Sequence, residues 1–128
     1  MTSDQARPIP QLDVQQAADR LTQPDSEGRR ALLVDVREKN ELEAVRAAGV
    51  VHVPLSSFAD GVQGLPKDRP LLFICATGKR SQVAAEFARR HGATEVANVS
   101  GGTVEWHKRG LPTSSGPLSE DEASVPEV

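Results

Sequence analysis

The chain has 128 residues, a formal net charge of −3, three Phe, one Trp and no Tyr. This length fits one domain with a core of mainly Val, Leu, Ile and Ala, and the mild acidity argues against a nucleic-acid-binding protein. A single cysteine excludes an intrachain disulfide and a multi-cysteine zinc site. No apolar run approaches the roughly 20 residues of a membrane span, and the start lacks the apolar segment of a secretory signal. We therefore expect a cytoplasmic protein that has no membrane partner.

Apolar spacing and helix-end signals predict strands that alternate with helices. Asp13 is expected to cap a first helix that ends before Pro24. Strands are predicted at residues 31–36, 50–54, 71–74 and 95–99. Further helical segments are predicted over 37–45 and 56–62, after a cap at Ser81, and from a cap at Thr103 to Trp106. The alternation is typical of a parallel sheet with helices on both faces, and such sheets bind ligands at the carboxyl ends of their strands.

The one cysteine, Cys75, stands at such a strand end. The loop that follows it consists of Ala76, Thr77, Gly78, Lys79 and Arg80. A loop between a strand and a helix can point several backbone N–H groups at one spot, and the helix N-terminus adds positive potential. Gly78 permits a tight curl, while Lys79 and Arg80 contribute positive charge. We expect this loop to bind an anion and to make the thiol ionise easily.

A simpler interpretation is that Cys75 is only a small buried hydrophobic side chain, as many free cysteines are. The spacing Cys-x-x-Gly-x-Arg-Ser, after four apolar residues and before an amphipathic helix, favours a functional cysteine instead.

Three blocks of the sequence resemble a known family, the single-domain rhodaneses, which are sulfurtransferases. Residues 35–42, DVREKNEL, are similar to the family's Asp-Val-Arg-Glu-x-x-Glu-aromatic segment. Residues 75–81, CATGKRS, match its active-site Cys-x-x-Gly-x-Arg loop, and residues 98–112 resemble its closing Gly-Gly-x-x-x-Trp-x-x-x-Gly-x-Pro segment. The resemblance implies an α/β fold of three layers, in which helices cover both faces of a mostly parallel five-stranded sheet.

The resemblance also divides the chain. Residues 1–8 are predicted to be a flexible N-terminal lead and residues 9–113 a rhodanese-like domain. Residues 114–128 are rich in Ser, Pro and acidic residues and show no periodicity. We expect them to form a disordered acidic tail, since they can bury too little surface to offset the entropy lost on ordering.

What the resemblance implies for function is a two-step transfer of sulfur. Cys75 would take a sulfane sulfur from a small anionic donor such as thiosulfate, become a persulfide, and pass the sulfur to a thiophilic acceptor, which could be a protein. Residues 76–80 would bind the substrate through their backbone amides and the Arg80 side chain. This chemistry requires no metal and no cofactor, and no nucleic-acid partner is expected.

Three further residues could support the site: Asp35 and Arg37 at a strand end, and Ser81 after the loop. Asp35 and Arg37 could shape the rim of the loop, but we favour a structural pair, since local charged pairs are common. Two positions depart from the family pattern. Arg46 stands where His is usual, and Leu42 replaces an aromatic residue, which bears on substrate preference.

Two alternatives stay open from the sequence. One is a non-catalytic module that carries a persulfide or senses oxidants through Cys75. The other is a cysteine-based phosphatase or arsenate reductase, whose similar loop has one more residue between Cys and Arg. The shorter loop here favours a single protruding sulfur over a phosphate group.

Overall fold

The computed structural model of the chain describes residues 7–119 and 122–124. Its strands are β1 (Gln11–Leu12), β2 (Leu32–Asp35), β3 (Arg46–Ala47), β4 (Val51–His52), β5 (Leu71–Ile74), β6 (Val96–Val99) and β7 (Thr113–Ser114). Its helices are α1 (Val14–Thr22), α2 (Lys39–Ala44), α3 (Phe58–Gly61), α4 (Lys79–Arg90) and α5 (Gly102–Lys108). Short 3₁₀ turns at 55–57 and 62–64 flank α3.

Five strands form one sheet in the order β1-β6-β5-β2-β4, and every neighbouring pair is parallel. The predicted five-stranded α/β fold is therefore confirmed. Asp35 lies beside both Ile74 and His52 in the register, so β2, β4 and β5 end at the same edge. Cys75 follows directly at this edge, as the sequence predicts. The fifth strand, β1, has only two residues and was not among the predicted strands.

Each face of the sheet carries its own apolar layer, because successive strand residues point to opposite sides. One layer joins alternate residues of β2 and β5 to α3 and α4. The other joins the intervening residues to α1, α2 and α5, and includes the buried Trp106 and Leu42. Cys75 belongs to the layer under α4. The sulfur therefore emerges between the sheet and the N-terminus of that helix.

Helix starts agree with the sequence at α1 and differ at α4 and α5. The Asp13 carboxylate accepts a hydrogen bond from the Gln16 N–H at 2.8 Å and caps α1 as predicted. The predicted caps Ser81 and Thr103 are wrong, since both lie inside their helices, which begin after Gly78 and Gly101. The Ser81 hydroxyl instead lies within hydrogen-bond distance of the Cys75 sulfur, and the Thr103 hydroxyl donates to the Cys75 carbonyl.

Of the predicted tail, the structure describes residues 114–119 and 122–124, and it places them in contact with the domain. β7 pairs antiparallel with β3, and the His52 N–H donates to the Ala123 carbonyl at 2.8 Å on the open edge of β4. Leu118 packs against the apolar layer of α1 and α5. Backbone pairing and one apolar contact thus join the described part of the predicted tail to the domain. Residues 1–6, 120, 121 and 125–128, which belong to the predicted lead and tail, lie outside the described residues.

Arg46 is the main polar anchor of this tail. Arg46 is 3% exposed, and its guanidinium donates to the Glu122 carboxylate at 2.6 and 2.8 Å. It also donates to the carbonyls of Gly116 and Leu42 at 2.8 and 3.0 Å. A buried guanidinium with acceptors on several sides is well satisfied. Arg46, one of the two departures from the family pattern, therefore holds the described part of the tail.

Within residues 7–119 and 122–124, no helix has the length and apolar character needed to cross a membrane.

Replacing Glu122 with Gln should lower the free energy of unfolding by about 1–2 kcal/mol, because the buried Arg46 loses its anionic partner. Urea unfolding measures this change, and limited proteolysis should show faster cleavage after residue 112. Glu105→Gln is the matched control, since Glu105 pairs with Arg109 in an exposed i,i+4 contact worth only a few tenths of a kcal/mol. Equal stability of the two variants would contradict the anchoring role of Arg46.

Candidate active site

Cys75 is fixed at the end of β5 by its own backbone. Its carbonyl accepts hydrogen bonds from the Thr103 N–H at 2.8 Å and from the Thr103 hydroxyl at 3.1 Å. The residue is only 1% exposed. The sulfur therefore lies at the bottom of the site, with α5 holding the strand end beneath it.

The loop after Cys75 curls back over the sulfur. The Gly78 N–H donates to Sγ at 3.1 Å, and the backbone N–H groups of Thr77 and Ser81 also favour the charged form of the sulfur. Gly78 has a φ of +97°, in the left-handed region that glycine adopts readily. α4 starts directly after it and adds the positive end of a twelve-residue helix. The expected anion-binding loop thus encloses the cysteine sulfur itself.

Two glycines let the loop and the β6–α5 turn approach each other closely. A Cβ on Gly78 would collide with the Ser100 carbonyl, and a Cβ on Gly102 would collide with the Ala76 carbonyl. Both residues have positive φ. The Val104 N–H donates to the Ala76 carbonyl at 3.1 Å and joins the two segments. The third sequence block, with its Gly-Gly pair, is therefore the support of the loop.

The Ser81 side chain connects the sulfur to the sheet. Its Oγ lies 3.3 Å from Cys75 Sγ and 2.6 Å from Asn98 Oδ1. Ser81 is fully buried, and Asn98 on β6 is 3% exposed. Ser81, predicted only as a supporting residue, thus contacts the cysteine sulfur.

Burial and hydrogen bonding act on the thiol in opposite directions. Burial alone would raise the pKa of Cys75, because it disfavours the charged form. The Ser81 hydroxyl and the backbone N–H groups of Ser81, Gly78 and Thr77 stabilise the thiolate and outweigh burial. The pKa of Cys75 therefore lies below the ordinary value of a cysteine. The site can supply a thiolate without a general base.

Arg80 forms a two-pronged ion pair with Glu41 at the side of the loop. Its two terminal nitrogens each lie 2.8 Å from a carboxylate oxygen of Glu41. The hydrogen bonds from Arg80 lower the pKa of Glu41 to about 2, and the pair raises the pKa of Arg80. Such paired geometry fixes the guanidinium plane. Through Glu41, α2 therefore positions Arg80, the last residue of the loop.

Asp35 and Arg37 form the structural pair favoured from the sequence. Asp35 is fully buried, and its carboxylate accepts from Arg37 Nε and Nη2 at 2.9–3.2 Å. Arg37 also donates to the Val45 carbonyl at 2.8 Å. The pair ties β2 to the end of α2, so it supports the element that carries Glu41. Lys79 is exposed in the first turn of α4, and Ala76 and Thr77 form the outer part of the loop.

Two site residues escaped the sequence-based selection. Glu41 is the second glutamate of the block 35–42, where the family's segment also has Glu, so a signal for it was present. Asn98 is a polar residue in the otherwise apolar strand β6, and that interruption was the only sign of a buried polar contact.

Comparison with known proteins identifies the family of the chain. A family model described as a rhodanese-like domain matches residues 13–109. The chain belongs to the rhodanese-like family. Among its relatives, the thiosulfate sulfurtransferase GlpE of Vibrio cholerae is 33% identical over 86 residues, which are 67% of this chain and 81% of that protein.

A second relative has a different described role. The putative sulfur carrier protein YrkF of Bacillus subtilis is 30% identical over 105 residues, which cover 82% of this chain and 55% of that protein. The rhodanese-like chain thus spans little more than half of the carrier's length. A crystal structure of a rhodanese-related protein from Thermoplasma volcanium matches with a TM-score of 0.72 and 25% identity, and covers 83% of this chain and 98% of that one.

Replacing Gly78 with Ala should destabilise the rhodanese-like domain by about 1–3 kcal/mol, because Ala must adopt a positive φ and collide with the Ser100 carbonyl. Gly64→Ala is the control, since a Cβ there meets open space and Gly64 has no positive φ. Thermal unfolding compares the two variants. A Gly78→Ala protein as stable as Gly64→Ala would contradict the tight approach at the loop.

The pH dependence of alkylation by iodoacetamide should reveal an ionised thiol. The midpoint of the rate should lie below about 8.5, the value for an unperturbed cysteine. Ser81→Ala should move it upward, while Ser57→Ala, an exposed change in a 3₁₀ turn, should leave it in place. Because the folded-state pKa is depressed, stability gained from the thiolate is complete above the unfolded pKa and is lost as the pH falls through the folded value. A midpoint at or above 8.5 would contradict the arrangement.

Proposed function

We propose that the chain is a sulfurtransferase that moves a sulfane sulfur from a small anionic donor such as thiosulfate to a thiophilic acceptor through a persulfide on Cys75. The observation that carries the proposal is a buried cysteine sulfur at a strand end that accepts a hydrogen bond from the Gly78 N–H and lies 3.3 Å from the Ser81 hydroxyl. The thiosulfate sulfurtransferase activity named for the Vibrio relative supports it.

In the first step, the Cys75 thiolate attacks the outer sulfur of thiosulfate. A new S–S bond forms as the old one breaks, and sulfite departs with the electron pair. The donor is a dianion, so the helix N-terminus and the exposed cation Lys79 favour its approach. A lowered pKa makes the thiolate easier to form, so the step does not require a general base.

In the second step, a nucleophilic acceptor attacks the outer sulfur and returns the Cys75 thiolate as leaving group. A thiolate of depressed pKa leaves more readily than an ordinary one. The depth of Sγ, in a residue 1% exposed, suits this step. The added sulfur stands about 2 Å farther out along the new bond, toward the mouth where an acceptor arrives.

A second candidate is a sulfur carrier that holds its persulfide until a partner protein removes it. The name of the Bacillus relative favours it. An enzyme turns over repeatedly with a small donor and acceptor, whereas a carrier is loaded once and waits. For a carrier, the sulfur acceptor would be a protein. For both candidates, the cytoplasmic location expected from the sequence stays a prediction.

Mass spectrometry after thiosulfate treatment should show a gain of one sulfur atom per chain, which cyanide removes as thiocyanate. Cys75 is the one cysteine of the chain, so Cys75→Ser provides a complete control. It should gain no sulfur and form no thiocyanate, and its melting temperature should stay close to that of the native chain. Loading without repeated thiocyanate formation would identify the carrier. Absence of any adduct, together with hydrolysis of a phosphate ester, would contradict both.

A further inference from the structure

Asn98 has a buried amide whose orientation is fixed by its partners. Its Nδ2 donates to the Gly78 carbonyl at 3.0 Å and to the Gln11 side-chain oxygen at 2.9 Å. A carbonyl oxygen can only accept, so the amino group must face Gly78. The remaining Oδ1 therefore faces Ser81, 2.6 Å away, and can only accept.

Ser81 has one hydroxyl proton and two candidate acceptors. Asn98 Oδ1 lies at 2.6 Å and Cys75 Sγ at 3.3 Å, and both distances allow a hydrogen bond. When the proton points to Asn98, Ser81 offers a lone pair to the sulfur, which suits a protonated thiol. When it points to the sulfur, it stabilises a thiolate. The two arrangements exclude each other because there is only one proton.

We propose that Asn98 is a positioning residue of the active site, which competes with Cys75 Sγ for the hydroxyl proton of Ser81 and so limits how strongly that hydroxyl stabilises the anionic sulfur. A thiolate that is stabilised more strongly is also less nucleophilic. The competition keeps the sulfur nucleophilic, while the Gly78 N–H favours its ionised form. The proposal deepens the proposed sulfur transfer and rests on it for its functional meaning.

Asn98 also braces the Gly78 carbonyl, so a single substitution mixes two effects. Loss of the hydrogen bond to the Gly78 carbonyl loosens the loop and raises the thiol pKa. Loss of the Asn98 Oδ1 acceptor frees the Ser81 hydroxyl for the sulfur and lowers the thiol pKa. Only the second effect requires Ser81. A double-mutant cycle on the two residues separates them.

The cycle uses four full-length proteins: the native chain, Ser81→Ala, Asn98→Leu and the double variant. The thiol pKa of each is taken from the pH dependence of iodoacetamide alkylation. The shift caused by Asn98→Leu should be more negative when Ser81 is present than when it is absent. We expect a difference of at least about half a pH unit, roughly threefold in the ionisation constant. Equal shifts in the two backgrounds would overturn the proposal.

The charged groups around the loop are common to all four proteins. They are Lys79 and Arg80 on α4, Glu41 on α2, and the Asp35–Arg37 pair at the end of β2. Their influence on the thiol therefore cancels in the cycle. Gln11→Leu is the matched control, because it removes a partner of Asn98 Nδ2 and leaves Oδ1 facing Ser81. It should show no coupling with Ser81→Ala, and coupling as large as that of Asn98→Leu would overturn the proposal.

Asn98→Asp keeps the experiment decisive if Asn98→Leu does not fold. A carboxylate is a stronger acceptor than an amide oxygen and should draw the Ser81 hydroxyl away from sulfur more completely. Its shift should be more positive with Ser81 present than without it, the opposite sign to Leu. The same sign for both, or no coupling for Asp, would overturn the proposal. The alkylation measurement uses no sulfur donor. The coupling between Asn98 and Ser81 can therefore be tested even if the chain does not transfer sulfur.

Discussion

The site depends on one interaction, which is the hydrogen bonding of a sulfur that is almost sealed from water. Cys75 is 1% exposed, and burial opposes ionisation. The loop counters this cost with donors that are already in place, since the Gly78 N–H donates to Sγ at 3.1 Å and the Ser81 hydroxyl lies 3.3 Å from it. Backbone donors held by a strand end and a helix start lose little entropy when they bind an anion, because folding has already ordered them.

The rest of the domain maintains that convergence. The β6–α5 turn presses against the loop, where Gly78 and Gly102 allow carbonyls to approach that a Cβ would obstruct. Thr103 holds the Cys75 carbonyl from below, and Glu41 fixes the guanidinium of Arg80 from the side. These contacts come from three sequence blocks that lie far apart in the chain. All three blocks contribute contacts to the loop around Cys75, which accounts for their joint occurrence although each block is short.

Sequence reasoning succeeded where one signal dominates. The apolar runs of β2 and β5 predicted buried strands, and Cys75 at the end of β5 followed from them. It failed where tertiary contacts decide. β1 has two residues and exists because β6 offers it an open edge. Ser81 has the chemistry of a helix cap, but Gly78 starts the helix earlier and leaves the hydroxyl free for sulfur. The partnership of Asn98 with Gly78 and Ser81 joins residues that are 17 and 20 positions apart, so no local pattern shows it.

The tail illustrates how a departure from a family pattern acquires meaning only in three dimensions. Arg46 replaces the usual His and appeared relevant to substrate preference. Its partners are instead the Glu122 carboxylate and the carbonyls of Gly116 and Leu42. A neutral imidazole has one N–H donor and could satisfy only one of these three groups, whereas the guanidinium has five. Arg46 and the contacts of the described tail residues are therefore a single feature. The domain offers these residues one buried cation and one open strand edge, and neither is visible in the composition of the segment.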